Sequence, residues 1–324
     1  MKQFWREVGL AVVLGMLMPG LILNIVTFSS HRRGETSVST TTEPGGSTVI
    51  EVLFGDGTVR ETELETYLVG VVLGEMPADF EEEALKAQAV VARTYTLRAW
   101  EGKGKHVDAS VCTDPSCCQA YRSPEDYLGA GGAPESVEKI RKAVAATSGM
   151  VLTYAGELID ATYFSCSGGT TEDALAVWGT DVPYLKSVSS PGEEQATYYM
   201  DRMTFTYDQL RERLDLPQGT GKVEFENITH TSGGGVAELT VGGKQYRGTE
   251  IRKLLGLRST AFTVTHSADG VTFHTRGFGH RVGMSQYGAD AMALIGSNFE
   301  EILAHYYPGT VLENRFIDKP AFLG

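Results

Sequence analysis

Three groups of residues in this chain have types and spacing suited to chemistry. The first is a single carboxylate. Leu64, Tyr67, Leu68, Val71 and Val72 fall at offsets 0, 3, 4, 7 and 8, the apolar stripe of an amphipathic helix, and offset 11 of that stripe is Glu75. A carboxyl on the packed side of a helix loses hydration, which disfavours its charged form and raises its pKa. A protonated acid near neutral pH is what cleavage of a glycosidic bond requires. The bland alternative is a glutamate that salt-bridges a neighbouring helix, with Arg93 as the natural partner. Glu81, Glu82 and Glu83 are weaker candidates, because acids in the first turn of a helix are explained by its dipole.

The second group is His106, Cys112, Cys117 and Cys118, four soft ligands within thirteen residues. They suit a closed tetrahedral zinc site, structural rather than catalytic because no ligand position stays open. A disulfide from Cys112 to Cys117 or Cys118 is the competing reading. The third group is the glycine-rich run GFGHRVGMSQYGA at 277–289, where His280, Arg281, Ser285, Gln286 and Tyr287 offer donors and an aromatic face suited to a sugar ring. It lacks the Gly-Lys-Ser/Thr ending of a phosphate loop. The run YFSCSGG at 163–169 puts Ser167 after a strand without the Gly-x-Ser-x-Gly of a nucleophile elbow, so hydrogen bonding by Tyr163 and Ser167 is the expectation.

These groups need elements to hold them. Residues 64–98 read as two helices broken at Met76-Pro77, with Asp79 as the cap of the second and Glu82 in the box position. Before them, 48–54 and the turn Gly55-Asp56-Gly57 predict a hairpin. Residues 102–133 should be irregular, 135–147 helical with Gly149 closing the helix, and 150–154 with 158–164 a second hairpin around Ala155-Gly156. Short strands at 223–228, 237–241 and 261–265 alternate with helices at 207–214 and 250–255. Asn298 and Glu301 form a capping box for a last helix, which Pro308-Gly309 ends.

The fold expected is α+β: a mixed helical and β-hairpin main domain over 48–190 and 271–324, with a smaller α+β lobe inserted at 191–270. Residues 31–47, rich in Ser, Thr and Gly, read as a linker. Residues 8–28 form a run of 21 with one strongly polar member, Asn24, long enough to predict a transmembrane signal anchor, with residues 1–30 as cytoplasmic tip and anchor and the catalytic domain outside the membrane. A net charge of -13 over 324 residues argues against nucleic acid as partner and leaves glycans open.

The motifs YLVGVVLGEMP, LKAQAVVARTY, YFSCSGGTTEDALAVWG and GFGHRVGMSQYGA, in that order across about residues 51–315, resemble the stage II sporulation protein D family, lytic transglycosylases of peptidoglycan and their amidase-enhancer relatives. The resemblance implies that Glu75 is the catalytic glutamate, and that Arg93, Tyr95, Tyr163, Ser167, His280, Ser285, Gln286 and Tyr287 line the substrate groove. It implies zinc on a His and Cys cluster ending His-Cys-Gln, which His106, Cys112 and Cys118 match while Cys117 stands in a histidine's place. Arg281 stands where glycine is usual, and Cys166 where threonine or a similar residue is. The implied activity is cleavage of the MurNAc-GlcNAc bond with 1,6-anhydroMurNAc formation, preferably on peptide-stripped strands, during sporulation engulfment. Implied partners are a cell-wall amidase and a polytopic membrane protein, at the mother-cell membrane facing the forespore. One glutamate can act as acid and then base, although Asp160, Glu172 and Asp173 stand as potential second carboxylates. The alternatives are a non-catalytic glycan-binding enhancer of an amidase and a two-carboxylate hydrolase.

Overall fold

The computed structural model describes residues 48–315. The architecture is a mixed α/β one with nine α-helices among the described residues, which corrects the expectation of an α+β fold preceded by a membrane-spanning helix. Hairpins are present, but two strand pairings are parallel and long-range, Val52 with Val111 and Met284 with Tyr163, so strands and helices interleave. The predicted anchor at 8–28 and the linker at 31–47 lie outside the described residues. Among the described residues no helix is long and apolar enough to cross a membrane. The 17-residue helix Glu82–Arg98 shows why: it carries Glu82, Glu83, Lys86, Gln88, Arg93 and Arg98, whereas a spanning helix needs about 20 mainly apolar residues. The assignment to a cell membrane as a single-pass protein is withdrawn with it.

The hairpin Val49–Leu53 with Val59–Glu63 forms as predicted. It leads directly into helix Leu64–Glu75, capped by the Glu63 carboxylate on Thr66 N at 2.7 Å. This helix is buried on nearly every side, from Leu64 and Tyr67 through Leu73, rather than along one stripe. It is a core helix, packed against Glu82–Arg98 and Pro134–Ala146. Its two inner glycines have a purpose. A Cβ at Gly70 would enter the Tyr121 ring, and one at Gly74 would lie 2.8 Å from Tyr121 N. Their absence of side chains lets segment 119–122 lie flat on the helix, with Arg122 N donating to Gly70 O at 2.9 Å and the Tyr67 and Tyr121 rings stacked at 5.6 Å.

Asp79 does not cap the next helix. The cap residue is Glu81, with no side-chain cap bond; the Asp290 carboxylate instead accepts from Glu81 N at 2.7 Å across 209 residues of sequence. The capping box at Asn298 and Glu301 forms as its spacing predicts.

Two hydrophobic cores result. The larger gathers Ile50, Leu68, Val72, Leu85, Val90, Ile140, Leu152, Met284 and Tyr306 among others. The smaller is aromatic: Phe273 sits against the rings of Phe205, Phe225 and Phe262 at 5.5 to 5.8 Å. Strands Met200–Thr206, Gly270–Arg276 and Phe262–His266 form its antiparallel sheet, and helices Tyr207–Arg213 and Gly248–Leu255 cover it.

Candidate functional site

Glu75 is the last residue of its helix, at the mouth of a cleft of about 380 Å³. Tyr95, Tyr163, Phe164, Trp178, Phe278 and His280 wall the cleft, and Lys105, Cys117 and Cys118 close one end. Glu75 is the one carboxyl on that lining. Its Oε1 accepts from Ala120 N at 2.6 Å. Burial raises its pKa above the ordinary carboxylate value, partly offset by the Ala120 N–H and by the side chains of Tyr163 and Gln286. Arg93 is not its charged neighbour, so no cation undoes the rise.

Tyr163 stands beside Glu75 on the short strand Tyr163–Phe164. Burial and the Glu75 charge hold its phenol protonated, and its hydroxyl donates to Gln119 Oε1 at 3.2 Å. Gln119, buried, donates in turn to Thr96 Oγ1 at 2.9 Å. His280 forms the opposite wall between the Phe164 and Trp178 rings, at 5.6 and 5.4 Å. Its Nδ1 accepts from Val282 N at 3.1 Å, which leaves the proton on Nε2. Burial, then the Arg252 charge, pushes its pKa down to about 4, so the ring is a neutral hydrogen-bond donor near pH 7.

The cysteine cluster borders the same cleft. The ligand atoms of His106, Cys112, Cys117 and Cys118 lie within 4.8 Å of one another. His106 Nε2 is 3.6 Å from Cys117 Sγ and 3.4 Å from Cys118 Sγ, and the two sulfurs are 3.9 Å apart. Zn–S and Zn–N bonds at tetrahedral angles give edges of about 3.5–3.8 Å, so the donor set fits zinc in both chemistry and spacing. All four cysteines are unpaired in this structure. The cluster is mechanically tied to Glu75, since Ala120, two residues past Cys118, supplies the N–H that the carboxylate accepts.

The remaining predicted site residues lie elsewhere. Arg93 is fully buried and bidentate to Glu65, with Nε at 2.8 Å and Nη2 at 2.6 Å, and it also donates to the carbonyls of Val144 and Met150 at 3.2 Å. It staples helices together and does not line the cleft. Ser167, also fully buried, donates its hydroxyl to Glu193 at 2.9 Å. Ser285 caps helix Gln286–Leu294 by accepting from Gly288 N at 3.2 Å. Tyr287 packs its ring on Phe80 at 4.9 Å. Gln286 lies close enough to Glu75 to favour its charged form, while its buried Nε2 completes no hydrogen bond.

Three residues escaped the reading of the sequence. Gln119 and the Ala120 amide had one signal, their place directly after Cys118. Trp178 had the signal of an aromatic at the end of a matched motif. Of the potential second carboxylates, Glu172 is fully buried against Arg281 at 3.1 Å, Asp173 caps helix Ala174–Trp178, and Asp160 faces Arg98 at 3.9 Å. None lines the cleft.

A family model described as stage II sporulation protein matches residues 55–154, the stretch that holds Glu75, Tyr95 and the cysteine cluster. Stage II sporulation protein D of Bacillus subtilis (strain 168) is 36% identical over 345 residues, covering 98% of this chain and 98% of that protein. Its counterpart from Bacillus amyloliquefaciens is 40% identical over 256 residues, 78% of this chain and 74% of that protein. A protein named amidase enhancer in Bacillus subtilis (strain 168) is 30% identical over 302 residues, 76% of this chain and 40% of that protein.

Proposed function

The chain belongs to the stage II sporulation protein D family, and from that premise we propose that it is a peptidoglycan lytic transglycosylase acting in sporulation. The observation that carries the reading is Glu75: a lone carboxyl in an aromatic-walled cleft, its pKa raised by burial and its position fixed by Ala120 N. Hydrolases of the inverting or retaining kind need a second carboxyl on the lining; a lytic transglycosylase does not.

Protonated Glu75 gives its proton to the oxygen that joins MurNAc to GlcNAc. The C1–O bond breaks, and the bonding electrons leave with the GlcNAc oxygen. The Glu75 carboxylate then takes the proton of the muramic 6-hydroxyl as O6 closes on C1, and the acid is restored with no water consumed. Tyr163, whose own proton goes to Gln119, can accept from a sugar hydroxyl, and the neutral His280 carries its proton on Nε2 at the opposite wall. Trp178 and Phe278 supply faces for the rings. His106, Cys112, Cys117 and Cys118 would hold a zinc ion whose part is structural, fixing segment 117–120 and through it the Ala120 N–H. Protein purified without chelator should contain about one zinc per chain; none, with free thiols intact, rejects the metal.

The likeness to an amidase enhancer supports a second reading, a glycan-binding module that assists a cell-wall amidase. Product analysis separates the two. Incubation with glycan strands followed by mass spectrometry should yield 1,6-anhydroMurNAc ends. New reducing ends would mean hydrolysis, and unchanged strands that remain bound would mean the module.

A further inference from the structure

On the other side of Trp178 and His280 lies a second cavity of about 490 Å³, lined also by Thr249, Arg252, Lys253 and Leu257. Trp178 and His280, their rings 5.4 Å apart, line both spaces and form the wall the two cavities share. Trp178 is 44% exposed at this junction, an uncovered aromatic face of the kind on which a sugar ring stacks. No carboxylate lines the second cavity, although the chain has 41 acidic residues against 28 basic ones.

Arg252 is the unusual group. Arg93, Arg211, Arg258 and Arg281 each face an acid within 3.4 Å. Arg252 is half-buried, and among the described residues its guanidinium has no ion pair or hydrogen bond. Burial alone pulls its pKa below the ordinary arginine value, with no acid to offset it, and its charge is felt at His280. Its place in the last turn of helix Gly248–Leu255 complements the helix dipole. That accounts for a cation at the surface, such as Lys253, but gives no reason to bury one. A desolvated cation facing an acid-free cavity has its missing partner in a ligand.

We infer that Arg252, backed by Lys253, forms an anion subsite for the lactyl carboxylate of a muramic acid residue next to the cleft. The inference rests on the glycan reading above. A peptidoglycan strand carries one such carboxylate per disaccharide, and it is charged only where no peptide is amide-linked to it. The planar guanidinium fork matches a carboxylate in two-point contact, and Trp178 sets the intervening sugar.

The test measures binding by calorimetry, using the full chain with Glu75→Gln so that strands are not consumed. Three probes are compared: peptide-free glycan oligosaccharides, the same strands with the lactyl carboxyl reduced to an alcohol, and strands with peptides still attached. Loss of a charge-assisted pair should weaken binding of the reduced strands about tenfold. Arg252→Gln should remove that difference, and Arg252→Lys should keep part of it, with melting temperatures confirming that both fold. Equal binding of reduced and unreduced strands, or no binding of either, overturns the subsite independently of any variant. Equal binding of peptide-bearing and peptide-free strands moves the anion to the peptide and overturns the lactyl assignment. The proposed activity stands or falls separately, on the anhydro ends made by the unsubstituted protein.

Discussion

Glu75 is a half-buried carboxylate and Glu193 a fully buried one, and their surroundings differ in kind. Glu193 is 1% exposed and saturated. It accepts from Ser167 N, Ser167 Oγ and Gly168 N at 2.8 to 2.9 Å, from Ser190 Oγ at 2.5 Å, and from the Cys166 thiol at 3.2 Å. Glu75 has one short bond, from Ala120 N, and an open cleft in front of it. The saturated carboxylate has its oxygens committed to protein donors and does not line the cleft. The under-satisfied one holds its proton more tightly and faces a space where a sugar fits. Both are at least partly removed from water; the supply of donors separates a structural acid from a candidate catalytic one.

The comparison breaks most visibly under substitution by glutamine. Glu75→Gln removes the only acid on the cleft lining and should lower the rate of anhydro product formation by about 10³-fold or more, with the fold intact. Glu193→Gln keeps one acceptor for the Ser167 and Gly168 N–H groups but puts an NH2 donor against the Ser167 and Ser190 hydroxyls, which donate to the carboxylate. It should cost stability on the order of 3 kcal/mol while changing the rate per folded molecule by less than about tenfold. Product assays beside denaturant melts decide it: if Glu75→Gln retains activity, or if Glu193→Gln silences a protein of normal stability, the two roles have been exchanged.

Arg93 offers the next largest effect and a sharper division. Its motif places it 18 residues after Glu75, which invites a substrate role. Its geometry gives it to Glu65, Val144 and Met150 instead. Arg93→Ala should destabilise by about 3–5 kcal/mol, because a buried pair loses one partner and two carbonyls lose their donor. KM for glycan should stay near that of the unsubstituted protein in whatever fraction remains folded. A raised KM at normal stability would restore Arg93 to the groove.

What was readable in advance follows the range of the interactions. The hairpin at 49–63, the helix starting at Leu64 and the box at Asn298 and Glu301 are local, and local pattern found them. The cysteine cluster was legible because its four side chains are close in sequence. The missed features are closures over long separations. The Asp290 carboxylate takes the Glu81 amide across 209 residues, displacing Asp79 as cap. Ala120 reaches Glu75 across 45 residues. Glu193 gathers Cys166, Ser167 and Gly168 from about 25 residues away. The glycine-rich loop was assigned to sugar binding as a block, yet only its Phe278-Gly279-His280 end lines the cleft. The rest starts a helix through Ser285, which an N-cap serine followed by periodic alanines could have indicated.

A smaller effect probes how the cysteine cluster and Glu75 are joined. At Gly74 an added Cβ meets backbone, Tyr121 N at 2.8 Å and Ala120 C at 2.9 Å, so the segment that delivers Ala120 N must move. Gly74→Ala should cost about 1–3 kcal/mol by overpacking and lower activity by roughly tenfold or more through displacement of the acid. Activity unchanged beside the lost stability would mean that Ala120 is not what positions Glu75.

The least of the effects is the most diagnostic of the Glu75 environment. Its folded pKa is raised by burial, so between the ordinary carboxylate value and the raised one the folded chain binds more protons than the unfolded chain. Stability from this group is therefore fully present at acid pH and is lost as pH rises through the folded pKa. Glu75→Gln cannot ionise, and its Oε1 can still accept from Ala120 N. The variant should match the parent in melting temperature below the carboxylate range, then exceed it by a margin that grows as pH rises and levels off once the parent carboxyl is fully charged. Enzymatic rate in the parent should decline over the same interval, because the charged form cannot donate the first proton. A margin that is flat with pH, or that favours the parent at neutral pH, would mean that the Glu75 carboxylate is comfortable when charged. It would remove the physical ground for assigning the acid to Glu75.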